Sequence, residues 1–530
     1  MQGRYAEAHE VLEYSALPLG MDEAKFHTLH AYLHRRLADD SDATAEQRSA
    51  WRKLAKSNQN KAFKCDPLEY WGVVEEAFRE GKSAAEALAL AEKNRGLKAQ
   101  QLLECVSDYF GIGAWEETAK LCGAALAKAA AEKPYATEGA LPLKDTIAAC
   151  DSYKNAMLGY FKAFALAKLG KDAGEVESAL AEAGDMITDY CFPSRLEELE
   201  VLQWAAEKDR KYRTKEQRAN THYYLGEVLW NMDQKEAGLA SWKTAAELNP
   251  KHALALRCIG FAVSHPGTYF TNTGVPSGIP SREAYDWYVK SLEADPGNFR
   301  TLDEVGKLAE RLELPPAERL ALMEKYMATV NKYDPCILRL AYTYNAVGRY
   351  MEAYKILTTR RFHVWEGADG LLAPFIDACH GLGKAAMDKK DYKTALKYFE
   401  ESTTYPENLQ AGRPGDAGIE PKSRYFMAQC KKALGDEAGY KAELENSLKG
   451  WIHAGEMDYW RVKALRELGR DGECAPLIAE LKQAIKELET PPPTVINAYA
   501  KFAGDNSAME RAAKARFKAG ELKKLLKEIE

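Results

Sequence analysis

Three stretches that place an aromatic residue beside polar ones hold the side chains best suited to binding chemistry. They are residues 265–280, 361–370 and 405–413, each rich in turn-forming Gly, Pro or Asn. An aromatic ring packs on the apolar face of a sugar or peptide, while adjacent carboxylate, amide and imidazole groups hydrogen-bond its polar groups. The candidate ligand residues here are His363, Trp365, Glu366, Tyr405, Glu407 and Asn408. The alternative is a packing role, with Asp369 capping a helix and Trp365 filling a gap.

Metal and catalytic motifs give much weaker signals. His27, His30 and His34 recur at helical spacing and share one face. A metal site would also need a convergent carboxylate, and Asp22 and Glu23 lie a turn away. We therefore interpret the histidines as part of an amphipathic helix. Without a nucleophile elbow, zinc-protease, phosphate-loop or dinucleotide motif, we assign no metal, no cofactor and no catalytic residue, and leave enzymatic activity open.

A periodic pattern of small and large residues predicts the elements that position these side chains. Gly238, Trp242, Ala245 and Pro250 follow Gly226 by twelve, sixteen, nineteen and twenty-four residues. Small residues let two helices approach closely, a large one fills the space between them, and proline ends the second helix. This spacing is typical of the tetratricopeptide repeat.

The same pattern recurs through the chain. Gly260 lies one 34-residue unit after Gly226, and further copies follow in phase as far as residue 450. The sequence therefore predicts an all-α fold, a tetratricopeptide-like α-solenoid of antiparallel helix pairs. We divide the chain by how regular its repeats are. Residues 1–205 hold degenerate repeats, 206–455 a regular array with three insertions, and 456–530 a C-terminal repeat with a cap.

Helix geometry adds a second candidate surface. Positions three before, one after and four after the small residue of each first helix form one stripe, which we expect to face a groove. A polar ligand or an inserted partner segment suits its mixture of aromatic and charged residues; a solvated groove is the alternative. The candidate groove residues are Tyr223, Glu227, Trp230, Arg257, Tyr342, Asn345, His380 and Tyr425.

The start of the chain resembles the middle of a repeat. Residues 3–8 match residues 348–353 nearly one for one, and the second copy is the turn and second helix of a unit. We therefore expect the chain to begin in mid-repeat, with upstream residues or a partner covering the exposed face.

Composition excludes several classes of partner. The 73 basic and 79 acidic residues give a net charge of -6, and no basic run suggests nucleic acid or an anionic membrane. The ten cysteines lack a C-x-x-C pair, which indicates a reducing compartment. No stretch approaches the ~20 apolar residues of a membrane span. We predict a cytoplasmic protein.

Residues 189–202, 361–370 and 405–413 together resemble segments of a bacterial family of unknown function. Its members carry an N-terminal β-sandwich, related to sugar-mutarotase folds, before tetratricopeptide repeats. Val364 departs from that family's proline, and Ala368-Asp369 depart from its Gly-Glu. The resemblance implies that this chain is the helical portion, that the β-sandwich is a candidate partner, and that carbohydrate metabolism is the association.

Two functions follow. The first, which we favour, is a scaffold that binds a protein, a peptide or the β-sandwich. The second is the helical part of a carbohydrate-active protein, in which the three insertions converge and the Trp365 and Tyr405 rings line a glycan site.

Overall fold

The structure is a computed structural model that confirms the all-α prediction. It describes residues 4–13, 22–96, 98–131, 152–186, 190–208, 213–264, 281–363, 368–411, 420–449, 455–490 and 507–530, and these ranges hold helices and no strand. Every helix in them is too short or too polar to cross a bilayer. The chain forms two compact units, the first ending at Ile259 and the second beginning at Gly260.

The described residues of the first unit form a series of helices. They are α1 (Tyr5–Glu13), α2 (Glu23–Ala38), α3 (Ala45–Cys65), α4 (Tyr70–Arg79), α5 (Ala84–Arg95), α6 (Ala99–Gly111), α7 (Trp115–Ala129), α8 (Ala156–Lys168), α9 (Ala173–Gly184), α10 (Leu196–Glu207), α11 (Lys215–Asn231) and α12 (Lys235–Leu248). Helix α13 (Ala253–Ser264) contains the boundary between the units.

The second unit continues the alternation of first and second helices. It contains α14 (Arg282–Ala294), α15 (Phe299–Arg311), α16 (Pro316–Lys325), α17 (Met327–Val330), α18 (Asp334–Ala346), α19 (Tyr350–Thr359), α20 (Leu372–Asp388), α21 (Tyr392–Glu401), α22 (Pro421–Ala433), α23 (Glu437–Ser447), α24 (Glu456–Glu467), α25 (Cys474–Glu489) and α26 (Ser507–Ile529).

Small residues bring the paired helices together, as their spacing predicts. A Cβ at Gly226 would overlap the indole of Trp242, which fills the space between α11 and α12. A Cβ at Gly383 would lie 2.6 Å from Phe399 Cζ, so α20 and α21 repeat the same contact. Helix α18 ends at Ala346, and Gly348 in the turn that follows has a left-handed φ of 78°, which favours glycine.

Short turns separate the helices of several pairs. A break near residues 39–42 separates α2 from α3, and turns at 111–113, 169–171 and 469–472 separate α6 from α7, α8 from α9 and α24 from α25. The division at 205 and 455 rests on repeat regularity and stays a prediction. Gly3, the first residue of the mid-repeat match, lies outside the described part of the chain. From residue 5 onward α1 packs on α2, with the Tyr5 and Tyr32 ring centroids 6.4 Å apart.

A buried ionic cluster, which the sequence did not reveal, lies between α2, α4, α6 and α7. Arg35 donates to both Glu75 oxygens at 2.6 and 3.1 Å and to Glu117 Oε1 at 2.8 Å. Tyr109 donates its hydroxyl to Glu75 at 2.9 Å. The Arg35, Glu75 and Glu117 side chains are 9%, 1% and 6% exposed. They therefore join α2, α4 and α7 by ion pairs inside the core.

Candidate functional site

The stripe residues of the first unit contact the next first helix along the chain. The Tyr223 ring centroid on α11 lies 5.1 Å from that of His252, just before α13. Cys258 Sγ on α13 lies 3.2 Å from Glu227 Oε1 and donates to it. Burial raises the pKa of Glu227, although the thiol and the charge of Arg257 oppose the rise. These contacts join neighbouring repeats.

Trp230 packs within its own repeat. Its ring centroid lies 5.2 Å from that of Trp242, and Lys235 Nζ lies 4.6 Å from the Trp230 centroid. Arg257 is half-buried on α13. A ligand role for either residue stays a prediction.

In the second unit, stripe residues also form hydrogen bonds between successive first helices. Tyr342 donates its hydroxyl to Gly370 O at 3.1 Å, and Asn345 Nδ2 donates to Pro374 O at 2.8 Å. Asn345 therefore ties α18 to α20, while Tyr342 keeps 39% of its surface exposed.

His380 and Tyr425 are more deeply engaged. His380 is 5% exposed, and its Nε2 lies 2.8 Å from Ser423 Oγ across the α20–α22 interface. Burial lowers the pKa of His380 to about 3, with help from Lys422 and Lys384, so the ring is neutral. Tyr425, 7% exposed, donates to Glu467 on α24 at 2.5 Å. These two side chains therefore hold repeats together and present little surface to a ligand, and a groove role for them stays a prediction.

The second and third insertions contact each other. Such a contact is required if the insertions lie on one face of the array. Phe362 N donates to Asn408 O at 2.8 Å, and Asn408 Nδ2 donates to the carbonyls of Leu357 and Arg360, both at 2.7 Å. Tyr405 packs against the apolar core of the unit. Asn408 and Tyr405 thus take the packing role that was the alternative to ligand binding.

An exposed imidazole stands at this junction. His363 Nδ1 lies 3.0 Å from Asp334 Oδ2, and 89% of the imidazole side chain is exposed. Burial acts to raise the pKa of Asp334, but donors from His363 and Arg360 hold it below its usual range. Glu407 is exposed and pairs with Arg361 at 3.4 Å. His363 and Glu407 are therefore open to solvent, and their ligand role stays a prediction.

Part of the predicted loop site lies outside the described residues. This holds for Trp365, Glu366, the whole first insertion at 265–280, and the end of the third at 412–413. The Trp365–Tyr405 distance is therefore not defined. Nothing in the described residues supports a glycan site.

Three lysines on the first helices α20, α22 and α24 form a surface that the stripe predicted only in part. Lys384 Nζ lies 5.0 Å from the Phe426 ring centroid, and Lys463 Nζ lies 5.4 Å from that of Trp460. The Phe426 and Trp460 centroids are 5.0 Å apart, so the two rings form a continuous floor. We call these residues, with Lys422, the lysine groove.

Lys422 differs from the other two lysines because it has a carboxylate partner. Its Nζ lies 2.7 Å from Glu456 Oε1, whereas the described residues place no carboxylate within ion-pair distance of Lys384 or Lys463. Burial and the like charge of Lys422 lower the pKa of Lys384. Burial raises the pKa of Asp377 at the same surface. Among the described residues, the lysine groove thus holds three ammonium groups near the carboxylates of Glu456 and Asp377.

Lys384 follows Gly383, the small residue of α20, and so belongs to the predicted stripe. The stripe does not include Lys422 or Lys463. Lys422 lies on the first turn of α22, N-terminal to the stripe, and α24 lies beyond the part of the chain where the repeats were in phase. Extending the repeat register by one unit would have placed Lys463 near this row.

Comparisons with known proteins identify a repeat at this surface. Residues 376–408, which cover most of α20 and all of α21, match the family described as "Tetratricopeptide repeat". The predicted unit around Gly383 and Phe399 lies inside this match.

Several solved structures show local likeness at low identity. PilW, a type IV pilus biogenesis factor, is 17% identical over 43% of this chain and 92% of that one, with a TM-score of 0.22. A tetratricopeptide repeat protein from Parabacteroides merdae is 12% identical over 58% and 99%, with a TM-score of 0.25. Yeast Tom70 is 13% identical over 99% and 96%, with a TM-score of 0.24. The chain is therefore an all-α protein of paired helices that contains a tetratricopeptide repeat at 376–408.

Proposed function

We propose that this chain is a binding scaffold whose lysine groove holds an extended acidic segment of a partner protein. The observation that carries the proposal is the placement of Lys384 and Lys463 over a floor of Phe426 and Trp460, where the described part of the chain brings no carboxylate within ion-pair distance of either lysine. Ammonium groups would pair with the partner's carboxylates, and an apolar side chain of the partner would pack on the two rings.

The charge balance favours an acidic ligand over a basic one. Three lysines lie at this surface, and the carboxylates whose charges act on Lys384 there are Glu456 and Asp377. Exposed ion pairs are individually worth about 0–1 kcal/mol, so affinity has to come from several pairs together with apolar contact. Binding should therefore weaken steeply as salt is added.

A peptide titration tests the proposal. A fluorescein-labelled peptide of alternating Glu and Leu should bind the full chain, and a Lys-Leu peptide of equal length should not. The double variant Lys384→Glu, Lys463→Glu should weaken binding by at least about tenfold, since each reversal replaces attraction by repulsion. Lys397→Glu, on the exposed face of α21, is the matched control and should bind like the parent. Equal binding of both peptides would contradict the proposal.

The partner segment has one candidate source in the resemblance described above. A β-sandwich domain of the family that residues 361–370 resemble would be a partner carried on the same polypeptide. If so, adding that domain should compete with the Glu-Leu peptide for the parent chain but not for the double lysine variant.

A further inference from the structure

Cys65 differs from the other described cysteines in its environment. It is the last residue of α3 and is exposed, whereas the remaining eight cysteines of the described residues are buried. Helix α3 packs back along α2, so its C-terminus returns to the first turns of α2. Glu23 and His27 lie there, one helical turn apart.

The donor atoms of these three side chains converge. One ligand atom from each of Glu23, His27 and Cys65 lies within 4.8 Å of the others, and His27 Nε2 is 3.9 Å from Glu23 Oε1. His30 and His34, which share the row in sequence, are 8% and 1% exposed and pack among aromatic rings. The structure thus separates His27 from its neighbours and supplies the convergent carboxylate that the sequence left a turn away.

We propose that Glu23, His27 and Cys65 bind Zn²⁺, with a fourth position open to water. Thiolate, imidazole and carboxylate are all zinc donors, and three protein ligands with one open position is a familiar zinc geometry. Zinc bond lengths place tetrahedral donors about 3.4–3.6 Å apart. The three donor atoms therefore have to move about 1 Å closer together to bind the ion. The Glu23 side chain can do this by rotating, because it is 62% exposed.

The surrounding charges allow the ion to enter. Asp22 caps α2 through Oδ1, 2.8 Å from Ala24 N, and adds a second carboxylate beside the site. Lys25, the nearest lysine on α2, is turned away, since its Nζ pairs with Asp108 at 2.8 Å. Lys61 and Lys64 on α3 are exposed and oppose a cation, but solvent screens them. As the zinc–sulfur bond forms, the thiol proton passes to solvent.

Cobalt and zinc titrations of the full chain test the site. Co²⁺ should produce a thiolate-to-metal charge-transfer band that one equivalent of Zn²⁺ removes. Cys65→Ser should abolish the band and weaken zinc binding by more than about 100-fold, because outer-sphere partners alone are worth about 10- to 100-fold. His27→Gln should weaken it comparably. The matched control is His363→Gln, an exposed imidazole of the second unit, which should change neither readout.

A measurement on the unmodified chain guards against a folding defect in the variants. In the native protein, Cys65 should be the fastest-reacting thiol toward a disulfide reagent, and Zn²⁺ should slow that reaction while Mg²⁺ should not. A cobalt complex without the charge-transfer band, zinc affinity unchanged in Cys65→Ser, or a thiol rate indifferent to zinc would each overturn the proposal.

Discussion

Removal of the Arg35 guanidinium should destabilise the first unit in a way that depends on pH. Arg35→Met keeps the length of the side chain but leaves Glu75 buried without its cation, while Glu117 keeps Arg36 at 3.1 Å. Taking one partner from a buried ion pair costs about 3–5 kcal/mol, because the remaining charge is uncompensated. We expect a loss near about 4 kcal/mol at pH ~8.

The sign of the pH dependence follows from Glu75. Burial raises its pKa, and Arg35 opposes that rise. A carboxyl with a raised pKa binds more protons in the folded state, so it lowers stability as the pH climbs above its unfolded pKa. Without Arg35 the pKa of Glu75 rises further. The cost of Arg35→Met should therefore shrink toward pH ~5, by up to about 1.4 kcal/mol per pH unit for each proton taken up.

Urea unfolding of the full chain at both pH values measures the effect, with hydrogen exchange of the α2 and α4 amides reporting the first unit. Arg52→Met, at an exposed position on α3, is the control and should change stability by less than about 0.5 kcal/mol. Adding Glu75→Gln to Arg35→Met should recover part of the loss. A cost that is equal at both pH values, or no larger than that of Arg52→Met, would refute the reasoning.

Three further predictions concern the second unit, each measured by urea unfolding. Gly383→Ala should cost about 1–3 kcal/mol, because its Cβ would lie 2.6 Å from Phe399 Cζ, while Gly472→Ala, in open space, should be nearly neutral. Asn408→Ala should cost about 1–3 kcal/mol, because two carbonyls lose their donor; a neutral result would show that water replaces the amide. Tyr425→Phe should cost about 1–3 kcal/mol by removing the donor to Glu467, and no change would mean that this bond does not join α22 to α24.

The helical pairs could be predicted because their determinants are local. Gly226, Trp242, Gly383 and Phe399 recur at a fixed spacing, and the structure places each large residue against its glycine. The turn at Gly348 was predicted for the same reason, since a glycine there ends the helix.

The partners of the polar side chains could not be predicted because they depend on how repeats stack. The stripe groups His380 with Tyr425, but sequence spacing does not show that each side chain bonds to the next first helix along the chain. The ionic cluster is more remote still, since Arg35 meets Glu75 and Glu117 across 40 and 82 residues. No periodic pattern joins residues at such separations.

The bonds between successive first helices also restrict how such an array can change by duplication. One junction pairs a thiol with a carboxylate, another an amide with a carbonyl, a third an imidazole with a hydroxyl, and a fourth a phenol with a carboxylate. A unit copied or moved elsewhere would meet a neighbour that lacks the matching group. Units of this chain are therefore not interchangeable modules, and a transplanted pair of helices should need its neighbour's contact residues to come with it.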